Sequence, residues 1–312
     1  MNSTNSLSVD AHAKPDWRQT TRLPLLEAGL ILTWSSGFVG ARFSIDYAPA
    51  LLVVFWRCVV IALILLPFVA KSLRRTSLAV LLVNAGIGLL AMAGYLAGVI
   101  QGIALGVPAG LAAVFANLLP MAVAVLAAVF LKHRLPWQIW LGLVIGLVGV
   151  VLVTLGALAW GNAPLWAYGL PVLGTLSLAV ATLWQKQLPA ERSMDLLPNL
   201  WLQCCVSAVA FGLIEGWQGS LAPIYSAGFA MSVLWTVALS TLGGYGLYWI
   251  CLQRSSPTRV ASVLYLCPPV TMIWAWVMFS EPLTVPMVLG MAVSGVGIWM
   301  VVRAENRQPA LI

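Results

Sequence analysis

The chain has 312 residues, of which 61% are hydrophobic and only 8% charged, with a formal net charge of +7. A water-facing globular protein carries roughly 25% charged residues, so this composition excludes a soluble fold and makes the lipid bilayer the solvent and partner. The basic excess is spread between apolar runs, without a continuous patch interleaved with aromatics, which excludes a nucleic-acid partner.

Residues 1–22 are polar and charged, and no apolar run precedes Leu23. The expectation is a cytoplasmic tail with no cleavable signal peptide, insertion starting at the first spanning helix. A spanning helix takes about 20 mostly apolar residues and must be helical to satisfy its backbone in lipid. Such runs fall at 24–45, 50–70, 78–101, 107–131, 137–157, 165–186, 196–216, 229–252, 259–280 and 284–303. They are separated by Pro, Gly and charged residues, as at Tyr47-Ala48-Pro49, Gly106-Val107-Pro108 and Glu281-Pro282. The predicted fold is all-α integral membrane, with ten transmembrane helices and a cytoplasmic C-terminal tail over 304–312.

The first run carries Trp34 and ends near Arg42, which reads as an orientation or gating residue. The second holds Arg57 inside the span. A charge at the bilayer centre costs about 2.5–3.5 kcal/mol on insertion scales. Arg57 therefore either lines a cavity and clamps a carboxylate or other acidic group, or snorkels outward and ties helix ends together. Tyr95 lies in the third run, and Asn117 and Pro120 in the fourth. A proline cannot donate to the carbonyl four residues earlier, so Pro120 and Pro268 leave Ala116 and Leu264 without their usual partners. Asn117 and Tyr265 follow those carbonyls directly, which marks both places either as polar hinges beside a cavity or as static kinks. Gly142, Gly146 and Gly149 in the fifth run, with Gly290, Ser294 and Gly297 in the tenth, form small faces suited to close helix contact within the bundle or in a homodimer. Trp184 ends the sixth run. In the eighth, Tyr245, Trp249 and Gln253 recur every four residues on one face, with Tyr248 beside them. That face is either an aromatic wall for an amphiphilic metabolite or part of an interfacial belt. The candidate substrate-binding residues are Trp34, Arg57, Tyr95, Asn117, Trp184, Tyr245, Trp249, Gln253 and Tyr265.

No cofactor or metal is expected. Cys58, Cys204, Cys205, Cys251 and Cys267 sit in apolar runs without metal-ligand spacing and read as packing residues. The histidines, His12 and His133, lie outside the spans, and no Gly-rich Lys loop for ATP is present.

Lys and Arg favour cytoplasmic loops. With the N-terminus inside and ten helices alternating, fourteen of the sixteen basic residues fall on the cytoplasmic side, leaving only Arg42 and Arg57. Both termini are thus expected in the cytoplasm of a multi-pass inner-membrane protein. The halves also repeat. Pro120 and Pro268 stand 148 residues apart, as do Leu141-Gly142 and Leu289-Gly290, Gly146 and Ser294, and Gly149 and Gly297. Five helices per half, an odd number, turn the second half upside down, giving two inverted five-helix repeats over 23–157 and 165–303.

The ordered set of Leu32 to Phe43, Phe55-Trp56-Arg57, Ala112 to Pro120, Val260 to Pro268 and Ser280-Glu281-Pro282-Leu283-Thr284 resembles the EamA-type transporters of the drug/metabolite transporter superfamily. The resemblance covers about 24–303 in both halves and departs from the family at His133, where members often place Glu. It implies a secondary, non-ATP transporter working by alternating access, an exporter of amino acids or related small metabolites, as a monomer or homodimer. Efflux of cationic drugs is the alternative. An integral-membrane lipid-modifying enzyme would need acidic clusters or His/Asp pairs at a membrane face, and the chain supplies none. A non-transporting receptor is disfavoured by the repeat.

Overall fold

Apolar segments in lipid must pair their own backbone groups, and helices do so locally. The computed structural model describes residues 17–130, 136–158, 163–254, 260 and 263–306, and every regular element among them is helical. In chain order these are α1 (Trp17–Ser44), α2 (Ala50–Leu73), α3 (Leu78–Ala104), α4 (Ala109–Phe130), α5 (Trp137–Leu158), α6 (Leu165–Lys186), α7 (Leu196–Gln218), α8 (227–254), α9 (Cys267–Phe279) and α10 (Val285–Asn306).

Among the described residues, eight helices, α1 to α8, are long and apolar enough to cross a membrane, and two shorter apolar helices follow. The ten expected spans therefore appear as eight full-length candidates and two shorter helices. The ninth expected run, 259–280, includes residues outside the described ones. So do Lys132, His133, Arg134 and Arg259, and the terminal residues 1–16 and 307–312. α1 begins at Trp17, ahead of the apolar run at Leu23 and with Pro24 inside it, and α10 runs past Arg303 to Asn306.

The most extensive helix contact is between α5 and α10. They run antiparallel and touch through their glycines. Gly149 meets the backbone nitrogen of Ser294, and Gly297 meets that of Gly146. A Cβ on Gly142 would lie 2.8 Å from the Gly297 carbonyl oxygen, and one on Gly290 2.6 Å from the Gly149 carbonyl oxygen. The small faces read from the sequence are used inside the bundle. Elsewhere α2 packs on α7, where Trp201 Nε1 donates to the Ala62 carbonyl over 3.0 Å. α1 packs on α8 and α9, and α6 on α3 and α4.

Two helices are interrupted where the prolines predict. α4 breaks into Ala109–Ala116 and Leu119–Phe130 through a turn at Asn117-Leu118. α9 starts at Cys267 after a turn at Tyr265-Leu266. Pro120 and Pro268 each occupy the first turn of the restarted helix, where a missing N–H removes nothing. Hydroxyls from other helices meet the carbonyls around the breaks: Ser35 Oγ donates to Cys267 O over 3.2 Å, and Thr175 Oγ1 to Phe115 O over 3.3 Å.

Candidate functional site

α3 and α8 each contain a π-helical stretch, Leu89–Gly94 and Thr236–Gly243. Such stretches are rare, widen the helix locally and often accompany functional sites. Each needs its loosened carbonyls satisfied away from water. In α3, Ser177 Oγ of α6 donates to Leu90 O over 2.8 Å. In α8, Thr241 Oγ1 donates to Thr236 O over 3.0 Å. Tyr95 directly follows the first stretch, and Gly244-Tyr245 follow the second.

Between them lies a cavity of about 60 Å³, lined by Trp34 and Phe38 of α1, Arg57 of α2, Met92 and Tyr95 of α3, and Ser240 and Tyr245 of α8, among others. By the usual scale of one water per 10–15 Å³ of such volume, it holds roughly four to six waters. The Trp34 ring stands 5.6 Å from that of Tyr245 and 5.7 Å from that of Tyr248, an aromatic wall on one side. Arg57 is 6% exposed. Its Nε donates to Thr241 Oγ1 over 2.8 Å, so the guanidinium is tied to the hydroxyl that closes the α8 π-stretch. A guanidinium has five N–H donors. Among the described residues, no carboxylate pairs with Arg57. A buried cation without an anion costs several kcal/mol, which an acidic group entering the cavity would offset.

The sequence-derived candidates thus divide. Trp34, Arg57, Tyr95 and Tyr245 come together at this cavity. Asn117, Tyr265 and Pro268 meet at a different place, a space of about 20 Å³ beside Ser294. There Asn117 Nδ2 reaches the Leu264 carbonyl, at 3.5 Å, so a side chain of the first half approaches the carbonyl freed by the proline of the second. Pro120 lies just past the matching break in α4. Trp184 is separate from both, 42% exposed and packed against Gly86, because its turn of α6 faces outward. The side chains of Trp249 and Gln253 lie outside the described residues.

Thr241, Ser240 and Met92 were not singled out by sequence. A buried threonine in an apolar helix carries no signal until the π-stretch turns it toward Arg57. A larger groove of about 700 Å³ between α2 and α8 is lined by Trp56, Val60, Tyr225 and other residues without a charge, so it lacks a group to orient a polar solute. A further cavity, about 390 Å³, opens where Arg42, the α3–α4 turn and Glu281 meet.

Residues 25–155 and again 165–303 match the EamA-like transporter family. The chain is 24% identical over 296 residues to a Bacillus subtilis (strain 168) protein described as an uncharacterized transporter, YvbV, covering 93% of this chain and 94% of that one. It is 25% identical over 195 residues to an uncharacterized transporter of Archaeoglobus fulgidus, covering 61% of this chain and 67% of the relative. A solved structure sharing 19% identity superposes with a TM-score of 0.56 over 92% of this chain and 99% of its own, which shows a shared fold.

Proposed function

The chain belongs to the EamA-like transporter family, and from that premise we propose that it is a secondary transporter of small carboxylate-bearing metabolites, amino acids among them. The observation that carries this reading is Arg57, a buried guanidinium facing a cavity with an aromatic wall and no carboxylate partner among the described residues. The solute's carboxylate takes the free N–H donors of Arg57, with tyrosine hydroxyls within reach of the same space, and its apolar part lies against Trp34 and Tyr245. Cationic-drug efflux is the lesser reading, because a cation entering this cavity meets Arg57 directly. Family membership favours transport over a lipid-modifying enzyme.

The proposed architecture is ten spans in two inverted halves. Its support is that helix contacts keep their pattern when each helix is exchanged for the one five places along: α1 on α8 and α9 becomes α6 on α3 and α4. The contact of Gly149 with Ser294 likewise becomes that of Gly297 with Gly146. Both π-stretches, both prolines and both helix breaks obey the same exchange. α5 and α10 serve as the fixed axis and the π-stretched helices as the parts that widen the cavity, exposing it to alternate sides. The charge pattern sets both termini in the cytoplasm. A periplasmic reporter fused after Arg303 is expected to be inactive, and activity there overturns this orientation.

Purified protein in liposomes is expected to exchange labelled amino or carboxylic acids, with Arg57→Ala reducing flux while thermal unfolding is unchanged. Faster movement of cationic drugs than of any carboxylate, unaffected by Arg57→Ala, would overturn the substrate class. Loading one face at a time tests the export direction that the family resemblance implies.

A further inference from the structure

The cavity at the end of α1 has a carboxylate at its edge that the transport reading does not use. Glu281 sits in the α9–α10 connection, its side chain 16% exposed. Its two oxygens accept from Ala109 N, the first residue of α4, over 3.3 and 3.1 Å. This is an acid of the second half bound to a helix N-terminus of the first, where the helix dipole favours negative charge. Arg42 of α1 approaches Oε1 with its Nε at 3.8 Å, an ion pair too long to be a hydrogen bond. The Arg42 guanidinium is held elsewhere, by Asp46 at 2.9 Å and over the Phe279 ring at 4.8 Å. The backbone here is set for this approach, with Gly106 and Ser280 both in the left-handed region at φ 100 and 54.

We infer that Glu281 is a proton-binding latch between the two halves: ionised, it clasps the α4 N-terminus and draws on Arg42; protonated, it lets that end of the molecule open. The ligand is one proton, taken from water in the adjoining cavity of about 390 Å³ and held on a carboxylate oxygen. Three contacts change together when it binds. The two charge-assisted bonds from Ala109 weaken to neutral ones, and the attraction of Arg42 is lost. Arg42 keeps Asp46 as its partner, so protonation leaves no cation stranded.

The charged groups facing Glu281 are few. α1 supplies Arg42 and, behind it, Asp46. α4 supplies the Ala109 and Gly110 amides. The α3–α4 turn, the end of α5 and Phe279 of α9 line the cavity without charge. Burial pushes the Glu281 carboxyl above the ordinary glutamate range, and the Ala109 amide and Arg42 only partly pull it back. The latch is therefore closed at high pH and released as pH falls through that raised value.

The test needs no transported solute, so it stands or fails separately from the carboxylate-transport reading. Purified protein in nanodiscs is titrated while infrared spectroscopy follows the protonated carboxyl band. The expected result is a band that titrates above the usual glutamate value, is missing in Glu281→Gln, and moves to higher pH in Arg42→Gln because a cation favouring the ionised form is gone. Hydrogen exchange at Ala109 and Gly110, corrected for intrinsic rates, supplies the second readout. Protection is expected to fall about tenfold on protonation, the scale of one charge-assisted hydrogen bond, and to be low at every pH in Glu281→Gln. A Glu281 band in the ordinary range, or amide protection that ignores both pH and Glu281→Gln in a folded protein, overturns the latch.

Discussion

The α5–α10 crossing and the Arg57 cavity are both places where the two halves of the chain meet, and they are built in opposite ways. At the crossing, Gly142, Gly146 and Gly149 bring backbone against backbone with Gly290, Ser294 and Gly297, leaving no room for a methyl group. Nothing there can slide without opening a gap in a close-packed region. At the cavity, two helices carry π-stretches, the guanidinium of Arg57 spends one donor on Thr241, and free space remains. One contact is dry, small-sided and fixed; the other is polar, widened and incompletely paired. The difference locates binding energy where the packing is loosest and rigidity where it is tightest.

The largest effect is expected from breaking the crossing. Gly149→Ala puts a Cβ against the Ser294 backbone, and Gly297→Ala puts one against Gly146, 2.6 Å from the Gly142 carbonyl oxygen. Because backbone cannot swing aside, each should destabilise the fold by about 3 kcal/mol, read as a lower unfolding temperature in detergent. The two losses should match, since the contacts are equivalent. Unequal losses would break the proposed two-fold relation.

Next comes Arg57→Ala, expected to lower carboxylate flux roughly hundredfold, the scale of a lost charge-assisted pair, without destabilising the protein. Removing an unpaired buried charge relieves the fold even as it disables the site. Arg57→Lys should recover part of the flux, as an ammonium keeps the charge but not the fork. A third, smaller effect follows from Thr241→Val. It removes the acceptor of Arg57 Nε and the donor to Thr236 O, and should cost about 1–3 kcal/mol of stability while raising KM. Thr241→Ser should restore both.

The crossing was legible in the sequence and the cavity only partly so. Small residues at helical spacing, repeated 148 residues on, identify a close contact because nothing else needs them there. Apolar runs identified the helices, and Pro120 and Pro268 the breaks, because a missing donor acts locally. Trp34, Arg57, Tyr95 and Tyr245 stood out as polar or aromatic groups inside spans. Which of the candidates share a space was not legible, since that depends on how each helix is rotated. A π-stretch adds to the difficulty by resetting the rotation of everything after it. Hence Asn117 and Tyr265 lie at the helix breaks rather than beside Arg57, Trp184 faces outward, and Thr241 went unnoticed. Glu281 was visible only as an acid at a helix end; its hold on Ala109 joins residues far apart in the chain.

The smallest expected effect separates the crossing from the glycines that happen to lie near it. Gly295 is on α10, next to Ser294, yet a Cβ built there meets nothing within 4 Å. Gly295→Ala has the same chemistry as Gly149→Ala and the same change in backbone freedom. In a helix that change alone favours alanine by about 0.5–1 kcal/mol. If the crossing is fixed by contact, Gly295→Ala should leave the unfolding temperature unchanged or slightly raised, opposite in sign to Gly149→Ala. If α5 and α10 instead need their glycines for flexibility, both substitutions should act alike, and carboxylate flux should fall with Gly295→Ala despite an intact fold. Equal unfolding losses at the two positions would remove the distinction between a rigid crossing and a yielding cavity.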